Sequence, residues 1–309
     1  MKRLALSTSI LAAALVVSSA LAQSAPPEPT GAPPPEAKAL VEAPKAPAEA
    51  PALAKPVDGT SATVSAGGQF ATGNSRTMAA TANGVFETRF NGNGIGASVL
   101  GNYGQGAPPG KPVVVTSENL QGRLRYDRYL ADRASVFAIA TGRHDRFQGL
   151  GFRLNLDPGV KYLFLEEQAD ALWAEAGYDF QYDIRRDEAR VQTDASGATV
   201  VDASGNPILL DKTATDHSGR LFAGMRHGFN EAVTLSVGLE YLQSVVESTR
   251  YRVNFDALFA AKVGGGLALG LGFGLRYDHA PLPGILELDT QSTLSLIYAY
   301  SDAPAKPAQ

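Results

Sequence analysis

Between Ala171 and Arg185, carboxylates recur at every fourth residue, Glu175, Asp179 and Asp183, with Trp173, Gly177 and Gln181 at the alternate positions between them. The intervening residues are Leu172, Ala174, Ala176, Tyr178, Phe180, Tyr182 and Ile184. An extended chain points successive side chains to opposite faces, so this segment reads as a strand with one acidic and one oily face. Carboxylates aligned in this way can hold cations, pass protons or pair with guanidinium groups. Partners for them recur at the same parity elsewhere: Arg123, Arg125 and Asp127; Arg153; Arg220 and Arg226; Glu240; Arg252 and Asp256; Arg276 and Asp278. Arg89, Lys161 and Lys262, with Glu87, Asp157, Glu287 and Asp289, complete a polar face of ten basic against eleven acidic side chains. Near balance predicts a ladder of mutually paired charges and argues against a strongly selective anion or cation pore.

Catalytic chemistry has less support. The histidines are His144, His217, His227 and His279; no G-x-S-x-G elbow occurs, and no Ser, His and acid trio declares itself by spacing. His227 is assigned to the oily face near one strand end and His279 to the opposite end beside Asp278. The run TDASGATVVDASGNPILL repeats DASG at 194–197 and 202–205, which reads as turns of a hairpin; Asp194 and Asp202 lack the D-x-D-x-D-G spacing of a calcium loop. No metal site and no cofactor is expected. Asp145 and Arg146 are adjacent and must point to opposite faces, giving a rim ion pair or, through Arg143 or Arg146, a contact to a lipopolysaccharide phosphate.

The elements that position these residues are strands almost throughout. Segments 60–72, 76–90, 94–105, 114–129, 134–146, 151–164, 170–185, 215–228, 232–245, 249–262, 265–279 and 287–300 alternate in polarity between turn signals, predicting about twelve antiparallel strands. Connections after the even-numbered segments are short, whereas those after the odd ones vary and include one long loop at 186–214. Short turns on one rim and longer loops on the other are the pattern of a transmembrane up-and-down β-barrel. Strand 11, with Leu267, Leu269, Leu271, Phe273, Leu275 and Tyr277 against Ala268, Gly270, Gly272, Gly274, Arg276 and Asp278, fits only if its oily face is known to point in or out. The tyrosines decide: Tyr103, Tyr178, Tyr182, Tyr241, Tyr251, Tyr277, Tyr298 and Tyr300 share the oily face and lie mostly toward strand ends, as interfacial girdles do. The leucines are expected to face lipid. The glycines of strand 11 leave room in the lumen, taken either by a narrow passage or by an inward-folded loop 186–214.

The remaining segments fit export. The start MKRLALSTSILAAALVVSSALAQ has two cations, an apolar run and small residues at Ala20 and Ala22, predicting a signal peptide over residues 1–22. Its removal takes the formal charge from −4 to −6 by loss of Lys2 and Arg3. Residues 23–59 are dominated by Pro and Ala, a composition that cannot bury a core, and read as a disordered periplasmic linker. At about 3.1 Å per residue it reaches on the order of 100 Å, far enough to touch peptidoglycan. The barrel is assigned to residues 60–300 and a flexible tail to 301–309. The acidic balance excludes a basic nucleic-acid binder, and the absence of Cys excludes disulfide support.

The segments GGQFATGNSRT at 67–77 and TGRHDRFQGLGFRLNLDPGVKYLF at 141–164 resemble the YdiY-like family of salt-induced outer-membrane proteins, through the Gly73-Asn74 turn, the Asp145-Arg146-Phe147 triplet and the return strand with Gly159. The resemblance covers roughly residues 60–300. It implies the cell outer membrane as location, lipids and lipopolysaccharide as surroundings, and the barrel-assembly machinery as a partner in biogenesis, with a link to salt or osmotic stress carried by the family name alone. A narrow, weakly selective channel or an envelope structural protein is the expected function, without enzymatic activity. The alternatives are a lipid-modifying barrel enzyme and a surface adhesin or receptor using loop 186–214.

Overall fold

The computed structural model describes residues 58–301 apart from 72–75, 108–110, 168, 195–197, 265–266 and 283–285. The expected signal peptide, nearly all of the linker, the tail beyond residue 301 and the Gly73-Asn74 turn lie outside the described residues. The strands are β1 (Gly59–Ala71), β2 (Arg76–Phe90), β3 (Asn93–Ala107), β4 (Val114–Ala131), β5 (Ala134–Asp145), β6 (Leu150–Glu166), β7 (Ala171–Arg185), β8 (Thr213–Gly228), β9 (Val233–Ser244), β10 (Tyr251–Gly264), β11 (Leu267–Asp278) and β12 (Leu288–Ser301). Each pairs antiparallel with its sequence neighbours, and β1 pairs with β12, so the sheet closes into a barrel. All twelve expected strands are present with ends displaced by at most two residues.

Turn chemistry fixes the register at the short-turn rim. Between β2 and β3, Asn91 (φ 48°) and Gly92 (φ 74°) both adopt the left-handed conformation, and Phe90 pairs directly with Asn93. This is the two-residue Asn-Gly hairpin whose twist matches that of its strands. Asn93 Nδ2 donates to the Phe90 carbonyl oxygen at 3.2 Å and closes the turn. Because the side-chain period is two, a register set here carries through each strand without exchange of faces.

Loop 186–212 rises from the opposite rim. Its base is a short 3-10 turn at Asp187–Ala189, and Arg186 N donates to the Gly149 carbonyl oxygen at 2.8 Å, docking the loop on the β5–β6 turn. Three short segments then bridge one another through Val191–Leu209, Thr193–Thr199 and Val201–Pro207. The second DASG run marks a turn, and Asp194 at the head of the first donates its N–H to the Ala198 carbonyl oxygen at 2.9 Å. Asp202 Oδ1 accepts from the backbone N–H of Ser204 at 2.8 Å and Asn206 at 2.9 Å, and Asp194 Oδ1 from that of Ala198 at 3.0 Å. The side chains flagged for calcium are thus engaged by nearby backbone N–H groups.

The Asn206 and Ser204 amides hold the Asp202 carboxyl below the usual range. A depressed folded-state pKa stabilises the turn above the ordinary aspartate pKa and ceases to do so as pH falls through the lower folded value. Amide exchange at Ser204 and Asn206 is therefore expected to accelerate below about pH 4, and Asp202→Asn should weaken that pH dependence while leaving the barrel intact.

Candidate functional site in the lumen

Register places all of the charged candidates on one inward face. Arg123, Arg125 and Asp127 belong to β4, Arg153 to β6, Glu175, Asp179 and Asp183 to β7, Arg220 and Arg226 to β8. Glu240 belongs to β9, Arg252 and Asp256 to β10, and Arg276 and Asp278 to β11. Glu87, Arg89, Asp157, Lys161, Lys262 and Asp289 share the inward parity. Glu287 precedes β12; it lines the cavity at the long-loop rim and accepts a hydrogen bond from the Tyr277 hydroxyl at 3.2 Å.

Arginine and carboxylate side chains interlock across strands. Arg125 donates to Asp127 at 2.7 Å and, over β5 and β6, to Glu175 at 2.9 Å. Glu175 also accepts from Arg220 at 2.8 Å, and Arg220 donates to Glu240 at 2.7 Å. Asn254 extends the chain to Glu240 at 2.7 Å. A second tier toward the long-loop rim joins Arg153 to Asp183 through two 2.7 Å bonds, Arg252 to Asp179 at 3.1 Å and Asn155 to Asp179 at 2.7 Å. Arg276 meets Asp256 at 2.5 Å. Glu175 is only 3% exposed and Arg220 only 2%. Charges so buried are tolerable because each is paired and hydrogen-bonded several times.

Arg125 can reach across β5 and β6 because an aromatic ring and a glycine lie between. The inward ring of Phe137 sits on Gly159, where an added Cβ would lie 2.6 Å from the ring. The Arg125 guanidinium stacks 4.4 Å above the same ring. Trp173 likewise lies flat against Gly224, leaving no space for a side chain there. With Leu163, Ala171 and Phe222 it forms a buried apolar cluster inside the barrel toward the short-turn rim. Phe137, Ile139, Phe222 and Leu242 were not among the expected lumen residues. Along β5, large Phe137 and Ile139 face inward while Ala138 and Ala140 face outward, so hydrophobicity misleads and only the register assigns the face.

Inward residues of β5 and β7 are almost all buried, whereas Arg153, Asn155 and Asp157 on β6 and Thr63, Ser65, Thr81, Asn83, Thr293 and Ser295 on β1, β2 and β12 point inward yet retain partial solvent access. Opposite them, β11 offers only Ala268, Gly270, Gly272 and Gly274 before Arg276. Toward the long-loop rim lies a cavity of about 150 Å³ lined by Arg153, Asp179, Asp183, Arg252, Arg276 and Asp289 among others. No described residue of 186–212 lines that cavity.

The outer face has the opposite character. Leu124 is 62% exposed and Leu271 55%, and Val64, Val99, Val160, Leu221 and Leu239 are exposed beside them. Tyr241, Tyr251, Tyr277 and His279 stack along this face near the long-loop rim, with Tyr251 and His279 4.8 Å apart. His227 pairs with Asp170 at 2.6 Å on the short-turn rim, His217 contacts the Tyr178 hydroxyl, and His144 meets the Gly151 carbonyl oxygen at 2.8 Å. Among the described residues no serine hydroxyl is hydrogen-bonded to a histidine. Asp145 and Arg146 do diverge: Asp145 is buried and bound by inward Arg143 at 2.6 Å, while Arg146 pairs with half-exposed Glu118 at 3.1 Å.

Burial separates these ion pairs energetically. Glu175→Gln leaves two guanidiniums without their charge partner and is expected to lower stability by about 3–5 kcal/mol. Glu118→Gln should cost about 0–1 kcal/mol; urea unfolding followed by tryptophan fluorescence compares the two. Gly224→Leu drives a side chain into the Trp173 ring and should cost about 1–3 kcal/mol or more, read in the same assay.

Among curated proteins none matches this chain. Solved structures of similar shape include the NanC porin (13% identity, 80% of this chain and 99% of that chain covered, TM-score 0.40). The COG4313 outer membrane channel from Pseudomonas putida F1 shares 14% identity over 82% of this chain and 99% of that chain (TM-score 0.41). The translocator domain of autotransporter NalP from Neisseria meningitidis shares 10% over 81% and 90% (TM-score 0.40). Values this low carry no argument about activity. The match that does define kinship covers residues 64–300, and by it the chain belongs to the family described as Protein of unknown function, DUF481.

Proposed function

We propose that this protein spans the bacterial outer membrane and provides a narrow, weakly selective, off-axis passage through it. The observation that carries this reading is the inversion of polarity: a closed barrel with paired charges inside and exposed leucine and valine outside. A belt of that size is unstable in water and matched to hydrocarbon. Strands of twelve to eighteen residues exceed the roughly 9–11 needed to cross a bilayer, so both rims stand clear of it. The short turns then face the periplasm, where the even strand count also leaves both chain ends. Residues 1–22 serve as the export signal and 23–59 as a periplasmic tether within reach of peptidoglycan. The protein acts without catalysis in this reading, and the link to salt stress is an inherited suggestion of the family resemblance.

Two features support a passage over a sealed barrel. Inward side chains of β1, β2 and β12 remain accessible to solvent, and no described residue of the long loop lines the cavity at its rim. Asp278, Glu287 and Asp289 line that cavity and among the described residues have no cation at ion-pair distance, whereas Arg153, Arg252 and Arg276 are all engaged. A mild preference for cations at the mouth follows. In planar bilayers the refolded chain is expected to give small discrete conductance steps with a slight cation bias that Asp278→Asn with Asp289→Asn removes. Thr293→Trp, which places an indole in the open strip, should cut the step size, whereas Phe137→Ala on the packed side should change it far less. A heat-modifiable, folded barrel that never conducts would overturn the proposal.

A further inference from the structure

Resting on that reading of the lumen, we propose that the passage favours small uncharged polyhydroxy solutes over ions of the same size. Below the carboxylates of the mouth, most charged groups of the wall lie on β4–β11 and are engaged in mutual pairs: Arg125 and Arg220 share Glu175, Arg153 clasps Asp183, and Arg252 holds Asp179. An anion entering the lumen must displace a carboxylate already bound at about hydrogen-bond distance, and a cation must displace a guanidinium. Neither exchange recovers the hydration that an ion loses in a narrow, low-dielectric passage.

The accessible strip offers a different chemistry. Thr63 and Ser65 on β1 face the lumen opposite Ala299 and Ile297 on β12, Thr293 and Ser295 follow farther along the inward side of β12, and the hydroxyls of all four can both donate and accept. Thr293 stands over Gly272, where a Cβ would lie 2.6 Å from its Oγ1, so the hydroxyl borders open backbone. Asn83 Oδ1 on β2 and Gln291 Oε1 on β12 are buried in the wall beside these hydroxyls. Donors and acceptors of this modest strength exchange partners readily, as conduction requires.

The test is osmotic swelling of phospholipid vesicles carrying the full refolded chain, with arabinose, gluconate and N-methylglucamine as probes, alongside conductance in potassium chloride. Arabinose is expected to enter about tenfold faster than either charged probe. Equal entry of all three, or faster entry of a charged one, overturns this inference while leaving a passage in place. Absence of both swelling and conductance in a folded barrel removes the passage itself and the proposed function with it. Thr293→Asp, or Ser65→Asp if the first fails to fold, should slow arabinose entry and move the reversal potential toward potassium. A variant that folds and alters neither also overturns the assignment of the strip.

Discussion

Closure of the backbone ladder is the constraint on which the rest of this molecule depends. Pairing of β1 with β12 leaves no sheet edge, so the hydrogen-bonding capacity of the strands is met within the barrel. Only with the backbone satisfied can the outer surface be given over to leucine, valine and phenylalanine, since hydrocarbon offers no partner for a free N–H or carbonyl oxygen. The same closure creates an interior, and the polar side chains excluded from the outer face have to be accommodated there.

That accommodation is uneven around the wall. Within β4–β9 guanidiniums and carboxylates interlock, with rings of Phe137, Trp173 and Phe222 packed between them, and the rim cavity opens above this network. Arg125 and Arg220 both lie near Phe137, so the aromatic ring supports the ion-pair chain as well as filling space. Gly159 and Gly224 make room for the rings, and each side chain added there would displace the structure above it. On β11, β12, β1 and β2 many inward residues are small or carry hydroxyls, and several of them keep partial solvent access.

The division of labour has a physical logic. Charge pairs buried on one side are rigid and costly to disturb, which suits a structural role; hydroxyls and amides on the other exchange partners cheaply, which suits transit. The long loop stands apart from both. It is held by the contact of Arg186 with Gly149 and by its own hydrogen bonds, and the carboxylate of Asp202 in the second Asp-Ala-Ser-Gly run accepts from the backbone of its own turn.

Much of this was legible in the sequence. Strict alternation in β7 and β11, and the Asn91-Gly92 turn, determined the strands, their number and the face of nearly every charged residue, because a period of two leaves little freedom once one residue is placed. What the sequence could not determine is which residues meet across strands that are neither adjacent nor paired. Arg125 and Glu175 are fifty positions apart and join only because the barrel curves and Gly159 lacks a side chain. Along β5, where Phe137 and Ile139 point inward and alanines outward, the pattern itself was misleading, and the register with β4 decided the face. The small and hydroxyl-bearing side chains of β11, β12, β1 and β2 likewise come to share one side of the barrel only when β12 meets β1.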